Sequence, residues 1–109
     1  MSSFDDRERA EEARYAMDQQ TQMRVTARRN KLLGLWAAGL MKLGGEQAEA
    51  YAKTVVIADL EEAGDNDVIR KILADLSAAG VAVSESDVKE ELARFLPIAR
   101  DEVARDVKK

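Results

Sequence analysis

The chain of 109 residues has no cysteine, no histidine, one proline, one tryptophan, two tyrosines and two phenylalanines. Without cysteine there is no disulfide, no thiol nucleophile and no thiolate metal ligand. Without histidine the commonest general base, the commonest metal ligand and the simplest pH switch are gone as well. No apolar run approaches the ~20 residues that a membrane span needs. The N-terminus is acidic where a secretory signal needs a basic start and an apolar stretch. A cytoplasmic chain with no direct membrane insertion is the expectation. Sustained period-two alternation is also missing, and Val81-Ala82-Val83 is too short and isolated to suggest a strand. There is no Gly-rich phosphate loop. The nearest acidic cluster, Gly64-Asp65-Asn66-Asp67, lacks the twelve-residue loop ending in Glu that a calcium site uses, and helix capping accounts for it. Ser84 and Ser86 have no neighbouring base. Neither an enzyme nor a metal protein is expected.

What is present is charge, alanine and helix periodicity. The net charge is −4, and it is unevenly placed. Residues 1–20 carry −3, residues 21–43 carry five cations and no acid, and residues 44–109 carry −6. An acidic chain with one short basic stripe is a poor nucleic-acid binder, because phosphate contacts dominate that affinity. The 18 alanines predict a thin core with closely spaced helices.

Apolar mass divides the chain in two. Residues 1–22 hold four large apolar side chains, Met1, Phe4, Tyr15 and Met17, whereas residues 23–109 hold 28. A segment that poor in apolar surface cannot offset its ordering entropy by its own burial. Its string Phe4-Asp5-Asp6-Arg7-Glu8-Arg9-Ala10 nevertheless consists mainly of helix-compatible residues, with no Gly or Pro. The predicted organisation is a mobile, helix-prone segment over 1–22 and a helical bundle domain over 23–109.

Gly44-Gly45, Gly64-Asp65 and Gly80 punctuate that domain into four helical stretches, each break suiting a helix C-cap. Asp65 or Asn66 can cap the third stretch, and Ser84 with Asp87 resembles a capping box. Val68, Ile69, Ile72, Leu73 and Leu76 make the third stretch amphipathic. In the fourth, Val88, Leu92, Phe95, Leu96, Ala99, Val103 and Val107 share a face, and Pro97 predicts a kink or break near Leu96. The first stretch carries an apolar stripe of Val25, Leu32, Trp36 and Leu43. Its second face, Ala27, Asn30, Gly34, Ala37, Ala38 and Met41, is nearly all small, which marks a central helix open to close approach.

Two charges interrupt these faces. Arg29 falls within the Val25–Leu32–Trp36 stripe, and Asp59 falls among Ala48, Ala52, Val55, Val56 and Ala63. Either would be costly to bury alone. They are expected to pair across the bundle, or else to snorkel to its edge. Arg24, Arg28 and Lys31 share the remaining face. They could bind an anion such as a nucleotide phosphate, with Trp36 or Tyr51 as a stacking wall. Otherwise they form a solvated face that attracts an acidic segment.

Residues 4–8, Phe-Asp-Asp-Arg-Glu, and 26–36, Thr-Ala-Arg-Arg-Asn-Lys-Leu-Leu-Gly-Leu-Trp, resemble the ζ subunit of alphaproteobacterial F-type ATP synthases. Ala50-Tyr51-Ala52, Thr54-Val55-Val56, Gly64-Asp65, Asp67-Val68, Arg70-Lys71 and Ala74-Asp75-Leu76 continue the likeness in order and spacing, and it weakens after residue 84. The resemblance implies an all-α four-helix bundle whose mobile N-terminal segment inhibits ATP hydrolysis by the catalytic head. That segment would turn helical on entering an interface between α and β subunits and reach toward the rotating γ shaft. Phe4, Asp5, Asp6, Arg7 and Glu8 would form its tip, and Ala10, Ala13, Ala16 and Met17 its weak apolar face. Tyr15 departs from the small or charged residue the family often has there. No cofactor is implied. The protein would sit peripheral to the inner membrane through the synthase. The alternative is a small helical nucleotide- or anion-binding bundle using the Arg24–Lys31 stripe.

Overall fold

Four helices make up the regular structure of the computed structural model: α1 (Ser2–Leu40), α2 (Gly45–Glu61), α3 (Asn66–Ala78) and α4 (Glu85–Val107). The backbone is described over residues 2–61 and 65–107, and side chains over 19–59 and 65–106. Ala63, the expected cap at Gly64 and the side chain of Val107 lie outside the described residues. The fold is an all-α four-helix bundle, and no strand occurs among the described residues.

α1 is the organising element. At about 1.5 Å per residue it is roughly 58 Å long, close to the molecule's longest dimension of 60 Å. Its C-terminal half packs on α2, α3 and α4 at once. That explains why its buried arc, Val25, Arg29, Asn30, Leu33, Ala37 and Ala38, is wider than either face read from the periodicity. Leu33, fully buried at the centre of this arc, was on neither predicted face. Leu32 and Trp36 are half-buried at its margins.

The small face works as its composition suggests. At Gly34 a β-carbon would lie 2.7 Å from the Cα of Ala52 and 3.2 Å from a methyl of Val55. The α1 and α2 backbones therefore meet at a spacing that only glycine permits. The main core joins Leu33 and Val55 to Val68, Ile72, Leu76, Val88 and Leu92. A smaller cluster of Val25, Ala99 and Val103, flanked by Leu32 and Leu96, ties α1 to the second half of α4.

The helix ends differ from expectation in two places. α1 stops before the glycines. The Leu43 amide donates to Ala38 O at 2.9 Å and the Lys42 amide to Gly39 O at 3.1 Å, a Schellman pair with Lys42 as its left-handed residue at φ 64°. Gly80 (φ 80°) closes α3 in the same way, its amide donating to Ser77 O at 3.0 Å and that of Val81 to Leu76 O at 2.8 Å. Asp65 occupies the N-cap of α3 but its side chain makes no capping bond, because its carboxylate is taken by Arg29. The capping box of α4 is formed reciprocally. The Ser84 amide donates to Asp87 Oδ2 at 2.9 Å and the Asp87 amide to Ser84 Oγ at 3.1 Å.

α4 runs through Pro97 without a break. Both Pro97 and Ala93, whose carbonyl loses its partner, are exposed. Water can therefore satisfy the freed carbonyl, which lowers the penalty a buried helical proline would carry.

Candidate functional site

α1 extends beyond the bundle at its N-terminal end. Its first buried side chain among the described residues is Val25. Ahead of it Gln19, Gln20, Gln22, Met23 and Arg24 are exposed and Thr21 is half-buried. The backbone from Ser2 onward is helical, in keeping with the helix-forming string read there. The side chains of Phe4, Asp5, Asp6, Arg7, Glu8, Ala10, Ala13, Ala16 and Met17 lie outside the described residues.

Two grooves flank α1 where it emerges. One, of about 440 Å³, lies against the end of α2 and is lined by Gln19, Gln22, Met23, Thr26, Ala27, Val56 and Asp59. The other, of about 450 Å³, lies against α4 between Thr21, Val25, Leu96, Arg100 and Ala104. Met23 is 68% exposed, high for a large apolar side chain next to a core helix.

Two of the three cations of the basic stripe lie against the chain's own acids. The Arg28 guanidinium donates to Glu102 Oε1 at 3.0 Å and to Asp106 Oδ2 at 2.7 Å, clamping α1 to α4. The hydrogen bond to Glu102, and then that to Asp106, raise the Arg28 pKa above its already high ordinary value. Lys31 Nζ lies 3.7 Å from Glu49 on α2, and Arg24 is exposed. Neither proposed stacking wall faces a free anion site. Trp36 packs partly into the core. The Tyr51 hydroxyl donates to Asp75 Oδ2 at 2.8 Å, Lys71 donates to the same oxygen at 3.0 Å, and its ammonium lies 5.3 Å from the Tyr51 ring centre. Burial first, and then the bond to Asp75, push the Tyr51 phenol above its ordinary value and keep it protonated. This geometry favours interhelical pairing over an anion site.

Arg29 is buried, as its position within the apolar stripe required, but its ion pair is not with Asp59. The guanidinium donates to Asp65 Oδ1 at 2.7 Å and, through Nε at 3.2 Å and a terminal nitrogen at 3.0 Å, to Asn30 Oδ1. Asp65 sits at the start of α3, where the chain turns back toward α1. The pair therefore joins α1 to that connection rather than to the body of α2. Asp59 stays close enough to feel the Arg29 charge. Burial raises its carboxyl pKa above the ordinary range, and the attraction of Arg29 only partly offsets this. Fully buried Asn30 has an amide nitrogen with no hydrogen-bond partner among the described residues. It lies near enough to Asp59 to favour the charged form without bonding to it.

Among the described residues no three acids converge on a metal position, and no helix is long and apolar enough to cross a membrane. Residues 1–102 match the family described as ATPase inhibitor subunit zeta. A protein solved in solution by NMR is similar to this chain with a TM-score of 0.69 and 40% identity, over 78% of this chain and 96% of that one. No curated protein matches.

Proposed function

Because the chain belongs to the family of ATPase inhibitor subunit ζ, and so restrains ATP hydrolysis by an ATP synthase rather than catalysing a reaction, we propose that it acts as a steric wedge. Residues 1–22 enter a catalytic interface between α and β subunits of the head and reach inward toward γ. The bundle of residues 23–109 remains outside as a folded body.

The observation that carries this reading is the single helix α1, which runs unbroken from Ser2 although its described burial starts only at Val25. About 22 helical residues span roughly 33 Å, enough to reach from a head surface into a cleft. Phe4, Asp5, Asp6, Arg7 and Glu8 form the tip. The alternating charges set register in a polar interface, and Ala10, Ala13, Ala16 and Met17 provide a narrow apolar face that lets the helix approach closely.

A segment so poor in apolar mass gains its order from the partner, losing entropy on binding while burying surface at an interface that closes during turnover. Inhibition then follows from blocked conformational cycling and shaft rotation, with no contact to the reacting phosphate. By family analogy, rotation in the synthesis direction ejects the wedge. The protein is thereby held peripheral to the inner membrane, in the cytoplasm, through the synthase.

The test is hydrolysis by a cognate catalytic head titrated with the full-length chain and with a chain lacking residues 1–20. The truncated chain should keep the helical circular dichroism of the bundle and lose inhibition. Undiminished inhibition by the truncated chain refutes the wedge.

A further inference from the structure

Met23 belongs to a stripe of α1 that otherwise faces α2. Gly34 meets Ala52 and Val55 on this side, and two turns earlier Ala27 faces Val56 and Asp59. One turn further Met23 continues the same stripe beyond Asp59, the last α2 residue of the groove lining, and stands 68% exposed. The result is a groove of about 440 Å³ lined by apolar Ala27, Val56 and Met23 and by polar Gln19, Gln22, Thr26 and Asp59.

We propose that this groove is a second docking surface for the catalytic head, taking an apolar side chain from the rim of the cleft that receives the N-terminal segment. The proposal rests on the wedge reading. α1 is one continuous helix through residues 2–40, so placing residues 1–22 in a cleft puts Met23 and Ala27 at its mouth. Helical rise separates Met23 from the end of that segment by only ~1.5 Å along the axis, and Ala27 by ~8 Å. The groove therefore opens onto the head surface beside the entry point. Its occupant also has a defined chemistry. The apolar part of the lining accepts an aliphatic or methionine side chain, and the Asp59 carboxyl beside it, whose ion-pairing partner Arg29 is engaged by Asp65 instead, offers an acceptor to a neighbouring amide, lysine or arginine donor. A buried apolar anchor ringed by polar contacts is the usual centre of a protein interface.

The test is titration of head hydrolysis with full-length variants. Met23→Gln keeps helix propensity, and Val56→Gln puts a polar side chain across the groove from α2, outside the wedge altogether. Leu40→Gln, another exposed apolar position of the same helix at 38% and roughly 25 Å along α1, is the control. Thermal melts establish that each variant is folded. Both groove variants should raise the half-inhibitory concentration about tenfold while leaving maximal inhibition unchanged, and Leu40→Gln should titrate as the parent does. Folded Val56→Gln inhibiting at parental concentrations overturns the docking surface and leaves the wedge standing. Inhibition surviving removal of residues 1–20 overturns the wedge instead. If sedimentation shows a dimer that Met23→Gln disperses, the groove belongs to a second copy and the proposal falls.

Discussion

Replacing Gly34 by alanine sets two known effects of opposite sign against each other. In an open helix position the change stabilises by about 1 kcal/mol, since glycine has the larger backbone entropy to lose. At Gly34 the new β-carbon would sit 2.7 Å from Ala52 Cα and 3.2 Å from Ala52 Cβ. Carbon contacts are comfortable at about 3.5–4.0 Å, and the obstructing atom is backbone, which cannot rotate aside. α1 and α2 must move apart by roughly 1 Å, loosening Leu33, Ala37 and Val55 in a close-packed core. Overpacking of this kind costs about 1–3 kcal/mol, here toward the upper end, so the net effect should be a loss of about 1–2 kcal/mol. For a domain of this size that lowers the melting temperature by roughly 5–15 °C. Gly39 is the internal standard, because it lies in the same helix and a β-carbon there meets nothing within 4 Å. Gly39→Ala should gain about 0.5–1 kcal/mol. Urea unfolding of both variants, with unchanged m-values, measures the difference. A Gly34→Ala protein as stable as its parent would refute the close-approach argument.

Lys42 holds φ 64° at the end of α1, a conformation that costs a β-carbon-bearing residue about 1–2 kcal/mol. Lys42→Gly should raise stability by about 0.5–1 kcal/mol in chemical denaturation, after allowing for the greater freedom of the unfolded glycine chain. A double-mutant cycle should place Arg29's larger coupling on Asp65 at about 0.5–1 kcal/mol, the partner being partly exposed. Arg29→Met with Asp59→Asn should show the smaller coupling, and the reverse ranking would contradict the observed pairing. The Asp59 carboxyl is raised by burial, so the folded chain binds its proton more tightly than the unfolded chain. Its stabilising effect is full below the unfolded carboxylate value and is lost as pH climbs through the raised one. The stability difference between Asp59→Asn and the parent should therefore shift in favour of the variant as pH rises from the ordinary carboxylate range, as followed by urea melts at successive pH values. A flat difference would show that burial does not govern Asp59.

Local signals were legible where the deciding interactions are local. The Ser84–Asp87 box needs only three residues of chain, and it formed as written. The α3 stripe of Val68, Ile69, Ile72 and Leu76 is buried because that helix packs one face, which periodicity reports directly. The small face of α1 was legible for the same reason. Leu33 was not, because packing against three helices widens the buried arc beyond any single stripe. The partner of Arg29 was set by where the α2–α3 connection returns, a long-range fact with no imprint on spacing, so Asp59 was the natural and wrong choice over Asp65. The intrinsic penalty of Pro97 predicts a kink or break, but that penalty depends on whether the orphaned carbonyl sees water. Gly44 looked like the terminator of α1, but hydrogen bonds to Ala38 and Gly39 closed the helix two residues earlier at the expense of a left-handed lysine. The candidate site divides in the same manner. The low apolar content of residues 1–22 is visible in composition, whereas the groove beside Met23 depends on how α2 packs along α1.

An interface made largely of alanine and glycine is smooth, and smooth helices can slide on one another with little to choose between adjacent registers. The knot of Arg29, Asn30 and Asp65 acts as a detent against such sliding. Displacing α1 by one turn, about 5.4 Å, would carry Arg29 and Asn30 together away from Asp65 and leave a buried guanidinium without its carboxylate, a larger loss than an alanine contact could restore. The same residues that weaken the core as a purely apolar object thus fix how far the first helix stands out along it, and with that the reach of the wedge proposed for residues 1–22.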